Sequence, residues 1–199
     1  MQGLVDNLLG FCLLSFVYFG GVMEIVDMSL SEVKLIRLRS FQDERGFFRE
    51  SYRENLYSSH GIAGSFVQDN HSFSFKGTIR GMHFQAHPGQ AKLVSVVSGR
   101  IFDAVVDIRP YSPTFGKWLG VDLYAENGEQ LYIPVGFAHG FCVLSESAHV
   151  IYKVSNYYDP LLERTFRFDD AEVGIQWPVE SPVLSLRDRD SPSFREVCA

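Results

Sequence analysis

The chain has 199 residues, with 24 acidic and 18 basic side chains and a net charge of −6. That length supports one domain with its own core, and the absence of any basic run excludes an electrostatic footprint for nucleic acid. The three cysteines (Cys12, Cys142, Cys198) form no CxxC pair and no metal-ligand spacing, which argues against a disulfide framework and for a reducing compartment, the cytoplasm.

Leu8 to Val22 is an uncharged run rich in Leu, Phe and Gly, and no Lys or Arg precedes it. It lacks the positive n-region of a signal peptide and is shorter than the roughly 18 residues that a spanning helix needs. Residues 1–30 are therefore expected to be an apolar extension outside the fold, with Met23 or Met28 as an alternative start. A membrane anchor is the less favoured reading. Residues 31–199 are expected to form a single domain.

Glu32 to Arg37 reads as a first strand. Arg45-Gly46 is a turn feeding Phe47 and Phe48, and Asn55 to His60 is a helical turn closed by Gly61. Phe66 to Ser72 alternates, so Gln68, Asn70 and Ser72 share a face of polar groups. That face lines a wet cavity or meets solvent. Thr78 to Gln85 also reads as a strand, and strict alternation sets His83 and Gln85 on one face and Arg80, Met82 and Phe84 on the other. A histidine there can be a general base, a metal ligand or a satisfied core residue.

Lys92 to Ser98 and Ile101 to Ile108 are strands joined at Gly99. The second carries an apolar face (Phe102, Ala104, Val106, Ile108) opposite Asp103 and Asp107. Trp118 to Tyr124, Gln130 to Ile133, Cys142 to Leu144 and His149 to Asn156 follow as strands, with a hairpin turn at Asn127-Gly128. Tyr152 and Tyr158 fall on one face. Short strands with Gly, Pro and Asn turns and little helix indicate an all-β sandwich or barrel. The tail from Asp159 onward, richer in Pro and charge, is expected to wrap it with short helical turns.

Pro134-x-Gly136-x-x-His139 resembles the second half-motif of the cupin jelly-roll barrel. The first half-motif normally supplies His-x-His and a downstream Glu as metal ligands. Here it reads His83-Phe84-Gln85, without that Glu. His83, His87 and His139 still leave a zinc or iron site open as an alternative.

Nine ordered strings carry a closer resemblance. They are Asp-Glu-Arg-Gly-Phe-Phe at 43–48, Gln-Asp-Asn-His-Ser at 68–72, Arg-Gly-Met-His-Phe-Gln at 80–85, Val-Asp-Ile-Arg at 106–109 and Ser-Pro-Thr-Phe-Gly at 112–116. After these come Ile-Pro-Val-Gly-Phe-Ala-His-Gly-Phe at 133–141, Asn-Tyr-Tyr-Asp-Pro at 156–160, Gly-Ile-Gln-Trp-Pro at 174–178 and Leu-Ser-Leu-Arg-Asp at 184–188. From Leu35 to Pro192 the chain resembles the dTDP-4-dehydrorhamnose 3,5-epimerases.

The resemblance implies an enzyme without metal or cofactor that inverts C3 and C5 of a dTDP-4-keto-6-deoxyhexose. Both carbons flank the C4 ketone, so a base, an opposing acid and a cation at the C4 oxygen are needed. Carried over by position, His83 resembles the base, Asp188 its orienting carboxylate, Tyr152 the acid and Lys92 the cation. Arg80 and His139 would line the pocket, with Asp103 behind His139. Arg45, Glu50, Gln68, Asn70, Glu163 and Arg187 would contact substrate, and Tyr158 or a Phe of the Phe47-Phe48 pair would stack on thymine. The resemblance also implies a homodimer that exchanges N-terminal strands, with Arg45 and its neighbours reaching the partner's site.

Arg80 and His83 cannot both reach one cavity from a regular strand, so a bulge or twist is expected at Gly81. Arg187 stands where the family commonly has Lys, which keeps the charge but changes its geometry. A relative that inverts one carbon only, a metal-dependent cupin oxygenase and a silent sugar-nucleotide binder remain rival readings.

Overall fold

The computed structural model describes residues 21–62 and 65–198. The alternating segments pair into two antiparallel sheets. The first holds β1 (Met23–Asp27), β2 (Lys34–Leu38), β5 (Gln68–Phe75), β7 (Lys92–Ser98), β10 (Glu129–Ile133) and β12 (Ser147–Val154), in the order β1-β2-β10-β7-β12-β5. The second holds β6 (Ile79–Gln85), β8 (Arg100–Asp107), β9 (Trp118–Tyr124), β11 (Phe137–Val143) and β13 (Glu163–Thr165), in the order β13-β6-β11-β8-β9. The sheets stack as a jelly-roll barrel. A separate hairpin, β3 (Phe41–Asp43) with β4 (Gly46–Phe48), stands exposed beside it.

The fold starts earlier than the sequence suggested. β1 pairs along its length with β2, and Leu30 is buried in the core. Apolar residues at Met23, Val26 and Leu30 need a partner surface, and the edge of β2 supplies it. Residues 23–30 therefore belong to the domain and not to an extension. Most of the run Leu8 to Val22 lies outside the described residues. No described helix is long and apolar enough to cross a membrane.

The inner faces of the strands carry two kinds of residue. Val94, Val96, Ile101, Val105, Leu131, Phe141, Val143 and Val150 form an apolar core. Beside or between these on the same strands lie the inward positions Lys92, Asp103, His139 and Tyr152. One set of strands thus builds both the apolar core and the wall of a wet cavity. The outer face of the second sheet is covered by the C-terminal tail. There Met82, Phe84, Ala104 and Val106 pack on Phe166, Val173, Ile175 and Phe194. The tail adds two short helices, α2 (Leu186–Arg189) and α3 (Phe194–Cys198). Tyr57 of α1 (Glu54–Ser59) packs against the outer face of the first sheet with Ile36, Leu93 and Tyr132.

The irregularity expected at Gly81 is present. His139 pairs with His83 and Phe141 with Arg80, so three residues of β6 span two of β11. The extra residue turns Arg80 to the same cavity as His83. Gly81 has φ +148°, and a Cβ there would lie 2.6 Å from the Gly140 Cα. The strand over Phe137–Val143 begins earlier than the expected Cys142, because the turn signals end at Gly136 and Gly140 fits within the ladder against Met82. Gly81→Ala combines a strained backbone with a backbone clash, and it should lower stability by on the order of 3 kcal/mol. A denaturant midpoint equal to that of the unsubstituted chain would show that β6 tolerates a regular ladder.

Candidate active site

A cavity of about 360 Å³ opens between the sheets and is lined by Asn70, Ser72, Arg80, His83, Lys92, His139, Tyr152, Tyr158, Glu163 and Arg187, with Phe84, Gln85, Gln90 and Phe141. This volume falls in the range of small-molecule sites. A larger groove of about 460 Å³ lies beside Arg109. Arg109 is already engaged there by Asp107 and Glu32, and no acid–base set converges on that groove.

His83 Nε2 lies 2.6 Å from Asp188 Oδ1. Asp188 is delivered by α2, where Ser185 caps the helix by accepting from the Asp188 backbone N–H at 3.0 Å. Burial pushes the Asp188 carboxyl up, but the hydrogen bond and charge of His83, the Ser185 hydroxyl and Arg187 outweigh it and hold the group below its ordinary range. An ionised carboxylate only accepts, so His83 Nε2 carries the proton. In the neutral ring the lone pair then sits on Nδ1.

His139 faces His83 across the β6–β11 ladder and donates from Nε2 to Asp103 Oδ2 at 2.9 Å. Burial lowers its pKa, and the nearby charges of Lys92 and His83 act in the same direction against the pull of Asp103. A neutral His139 therefore offers an acceptor to the cavity. Asp103 Oδ1 and Ser72 Oγ are buried without a protein partner.

Lys92 is buried and donates to the His83 carbonyl at 3.3 Å. Burial lowers its pKa to about 8, even though Asp103 and Glu163 favour the charged form. Tyr152 lies on the opposite sheet from His83. Burial, then Glu163, raises its pKa against the opposing charge of Arg80, so the phenol keeps its proton at neutral pH. At the mouth, Glu163 Oε2 accepts from Tyr158 at 2.6 Å and from Arg187 at 2.7 Å. Arg80 is braced by Ser74 Oγ at 2.9 Å.

Gln68 stands one contact back, joining Asn70 Oδ1 at 2.8 Å to the Tyr158 backbone N–H at 3.0 Å. Arg45, Phe48 and Glu50 do not line this cavity. Arg45 pairs with Asp43 on the exposed hairpin, Phe48 is 72% exposed, and Glu50 pairs with Arg53. Within the chain they belong to a separate surface. Phe84, Gln90 and Phe141 were missed as wall residues. Their only sequence signal was position on a strand or loop next to the histidines. Among the described residues no group of three or more His, Cys, Asp and Glu side chains is arranged to hold a metal ion. His83 and His139 each direct Nε2 at a carboxylate, and His87 does not line the cavity.

Lys92 loses its proton in the folded chain near pH 8, below its unfolded value of about 10.4. Between those values the unfolded chain binds more protons, so folding stability should rise with pH across that window. Lys92→Met should remove this rise, by up to about 3 kcal/mol. Parallel pH–stability curves for the two proteins would show that Lys92 is not held in a desolvated site.

A family profile described as dTDP-4-dehydrorhamnose 3,5-epimerase matches residues 27–196. The chain is 48% identical over 174 residues to dTDP-4-dehydrorhamnose 3,5-epimerase of Shigella flexneri, covering 86% of this chain and 96% of that protein. A dTDP-4-dehydrorhamnose 3-epimerase of Streptomyces niveus is 40% identical, covering 78% and 76%. Among solved structures, the dTDP-6-deoxy-D-glucose-3,5-epimerase of Legionella pneumophila, in complex with dTDP-4-keto-L-rhamnose, superposes with a TM-score of 0.84 at 46% identity, covering 87% of this chain and 93% of that one. The chain belongs to the dTDP-4-dehydrorhamnose 3,5-epimerase family of isomerases.

Proposed function

We propose that the chain inverts C3 and C5 of a dTDP-4-keto-6-deoxyhexose, converting dTDP-4-dehydro-6-deoxyglucose to dTDP-4-dehydrorhamnose, with His83 as base and Tyr152 as acid. The observation that carries this reading is the placement of His83, backed by Asp188, on one sheet and Tyr152 on the other. A sugar between the sheets meets a base on one face and a proton donor on the other. Inversion requires that pair.

In the proposed mechanism, His83 Nδ1 removes the proton from a carbon next to the C4 ketone. The new imidazolium is stabilised by Asp188, and the developing enolate oxygen by the Lys92 ammonium. Tyr152 then protonates the same carbon from the opposite face. Once His83 has given its proton to solvent and Tyr152 has regained one, the same groups serve the second carbon, because both are acidified by one carbonyl. His139 and Asn70 fix the sugar, Arg80 and Arg187 meet the diphosphate, and Tyr158 stacks on thymine. The C4 ketone that acidifies both carbons is already part of the substrate, so the proposed proton transfers use only groups of this chain.

The working form proposed is a cytoplasmic homodimer in which β3–β4 crosses to the partner. The hairpin leaves Phe47 and Phe48 60% and 72% exposed, with Arg45 at its turn. Exposed aromatic surface of this kind marks an interaction site. In the dimer Arg45, Phe48 and Glu50 would complete the neighbouring cavity.

Turnover in heavy water should place deuterium at both C3 and C5, read by NMR. Label at one carbon only would make the chain a single-carbon epimerase, the reading favoured by its similarity to the Streptomyces niveus protein. His83→Asn should reduce the rate by about 100-fold or more, and unchanged turnover would remove His83 from the mechanism. Arg45→Ala and His83→Asn should each be weak alone, while subunits mixed under exchange should regain activity through one intact shared site. Failure to regain activity in demonstrated mixed dimers would refute hairpin exchange.

A further inference from the structure

On the outer face of the first sheet, away from the cavity, His71 of β5 and His149 of β12 point at one another. His71 Nε2 and His149 Nδ1 are 2.9 Å apart, and the rings lie 5.1 Å centre to centre at 36°. The pair is diagonal in the ladder, since His71 opposes Ile151 and His149 opposes Phe73. Diagonal neighbours on adjacent strands are within reach of ring side chains. Phe73 walls one side, with its centroid 4.7 Å from the His149 ring, and Phe75 packs edge-on against Phe73 at 5.1 Å. The proposed epimerase uses neither histidine.

We propose that His71 and His149 form a two-histidine site for a divalent transition ion such as zinc, which fastens the edge strand β5 to β12. Imidazole nitrogen suits zinc, nickel and copper. Zinc–nitrogen bonds of about 2.1 Å in tetrahedral geometry set two nitrogens about 3.4 Å apart. The existing pair needs to open by only about 0.5 Å to admit the ion. In the free pair one imidazole N–H donates to the other ring. In the loaded pair His71 Nε2 and His149 Nδ1 both present lone pairs, and each ring keeps its proton on its other nitrogen. No redox step is involved. Water fills the remaining coordination positions, because no third His, Cys, Asp or Glu joins the pair. Phe73 restrains the His149 ring, so less rotational freedom is lost when the ion arrives.

The inward residues of the same two strands are Asn70, Ser72 and Tyr152, so an ion here would hold one wall of the cavity together from outside. The edge strand β5 has a sheet neighbour on one side only, and a cross-strand ligand adds a second tie.

Titration of the chelator-treated protein with zinc chloride tests the site. The expected result is one ion per chain, with binding lost in His71→Ala and in His149→Ala, and amide exchange in β5 slowed by zinc in the unsubstituted protein alone. Anomalous scattering at the zinc edge should place the ion between the two rings. Retained stoichiometric binding in His71→Ala/His149→Ala, or an ion located at His83 or His139 instead, would overturn the proposal. So would no binding to the unsubstituted protein. Both substituted side chains lie on the outer face, and unchanged thermal midpoints without zinc would show that lost binding does not reflect unfolding.

Discussion

The site depends on a hydrogen bond between residues 105 positions apart in sequence: His83 on a barrel strand and Asp188 on a four-residue helix of the tail. A lone imidazole on β6 has two equivalent ways to place its proton. The carboxylate removes that freedom and leaves the other nitrogen as the acceptor. For this to work, the tail must fold back across the second sheet and place Asp188 with sub-ångström accuracy. The tail packs on the second sheet through Met82, Phe84, Phe166, Val173 and Phe194, and Ser185 caps the helix that carries Asp188. Packing between tail and sheet therefore bears on chemistry in a cavity that these residues mostly do not line.

The rest of the barrel follows a similar economy of parts. Strands β7, β8, β11 and β12 each carry inward apolar residues and one inward functional group beside or between them. The apolar residues fix strand positions to packing precision, and the polar groups among them inherit that precision. Burial then sets the electrostatics. It weakens the hold of Lys92 and His139 on a proton and strengthens that of Tyr152. One cavity thus holds a neutral acceptor, a protonated phenol and an easily discharged cation.

Much of this was legible in the residues. The strand positions from Lys92 to Tyr124 follow directly from alternation and turns, and the inward polar row of β5 could be seen from Gln68, Asn70 and Ser72. The conflict between Arg80 and His83 even located the irregularity at Gly81. Other features were hidden for physical reasons. β13 is three residues long and mostly polar, so it has no pattern until β6 offers an edge. β1 lay beside an apolar run that masked its own alternation. The closeness of Asp188 to His83 has no local signature at all, because it is fixed by tertiary packing; only the resemblance of whole strings pointed to it. Arg45, Phe48 and Glu50 lie away from the cavity within the chain, on or just after an exposed hairpin.

The triad at the mouth has a consequence for ligand binding. In the empty cavity Arg187 is held by Glu163, which also holds the Tyr158 hydroxyl. A ligand seeking that guanidinium competes with a carboxylate already in place. An anion that drew the guanidinium away would leave Glu163 to the Tyr158 hydroxyl alone. One carboxylate thereby couples the position of Arg187 to that of the Tyr158 hydroxyl.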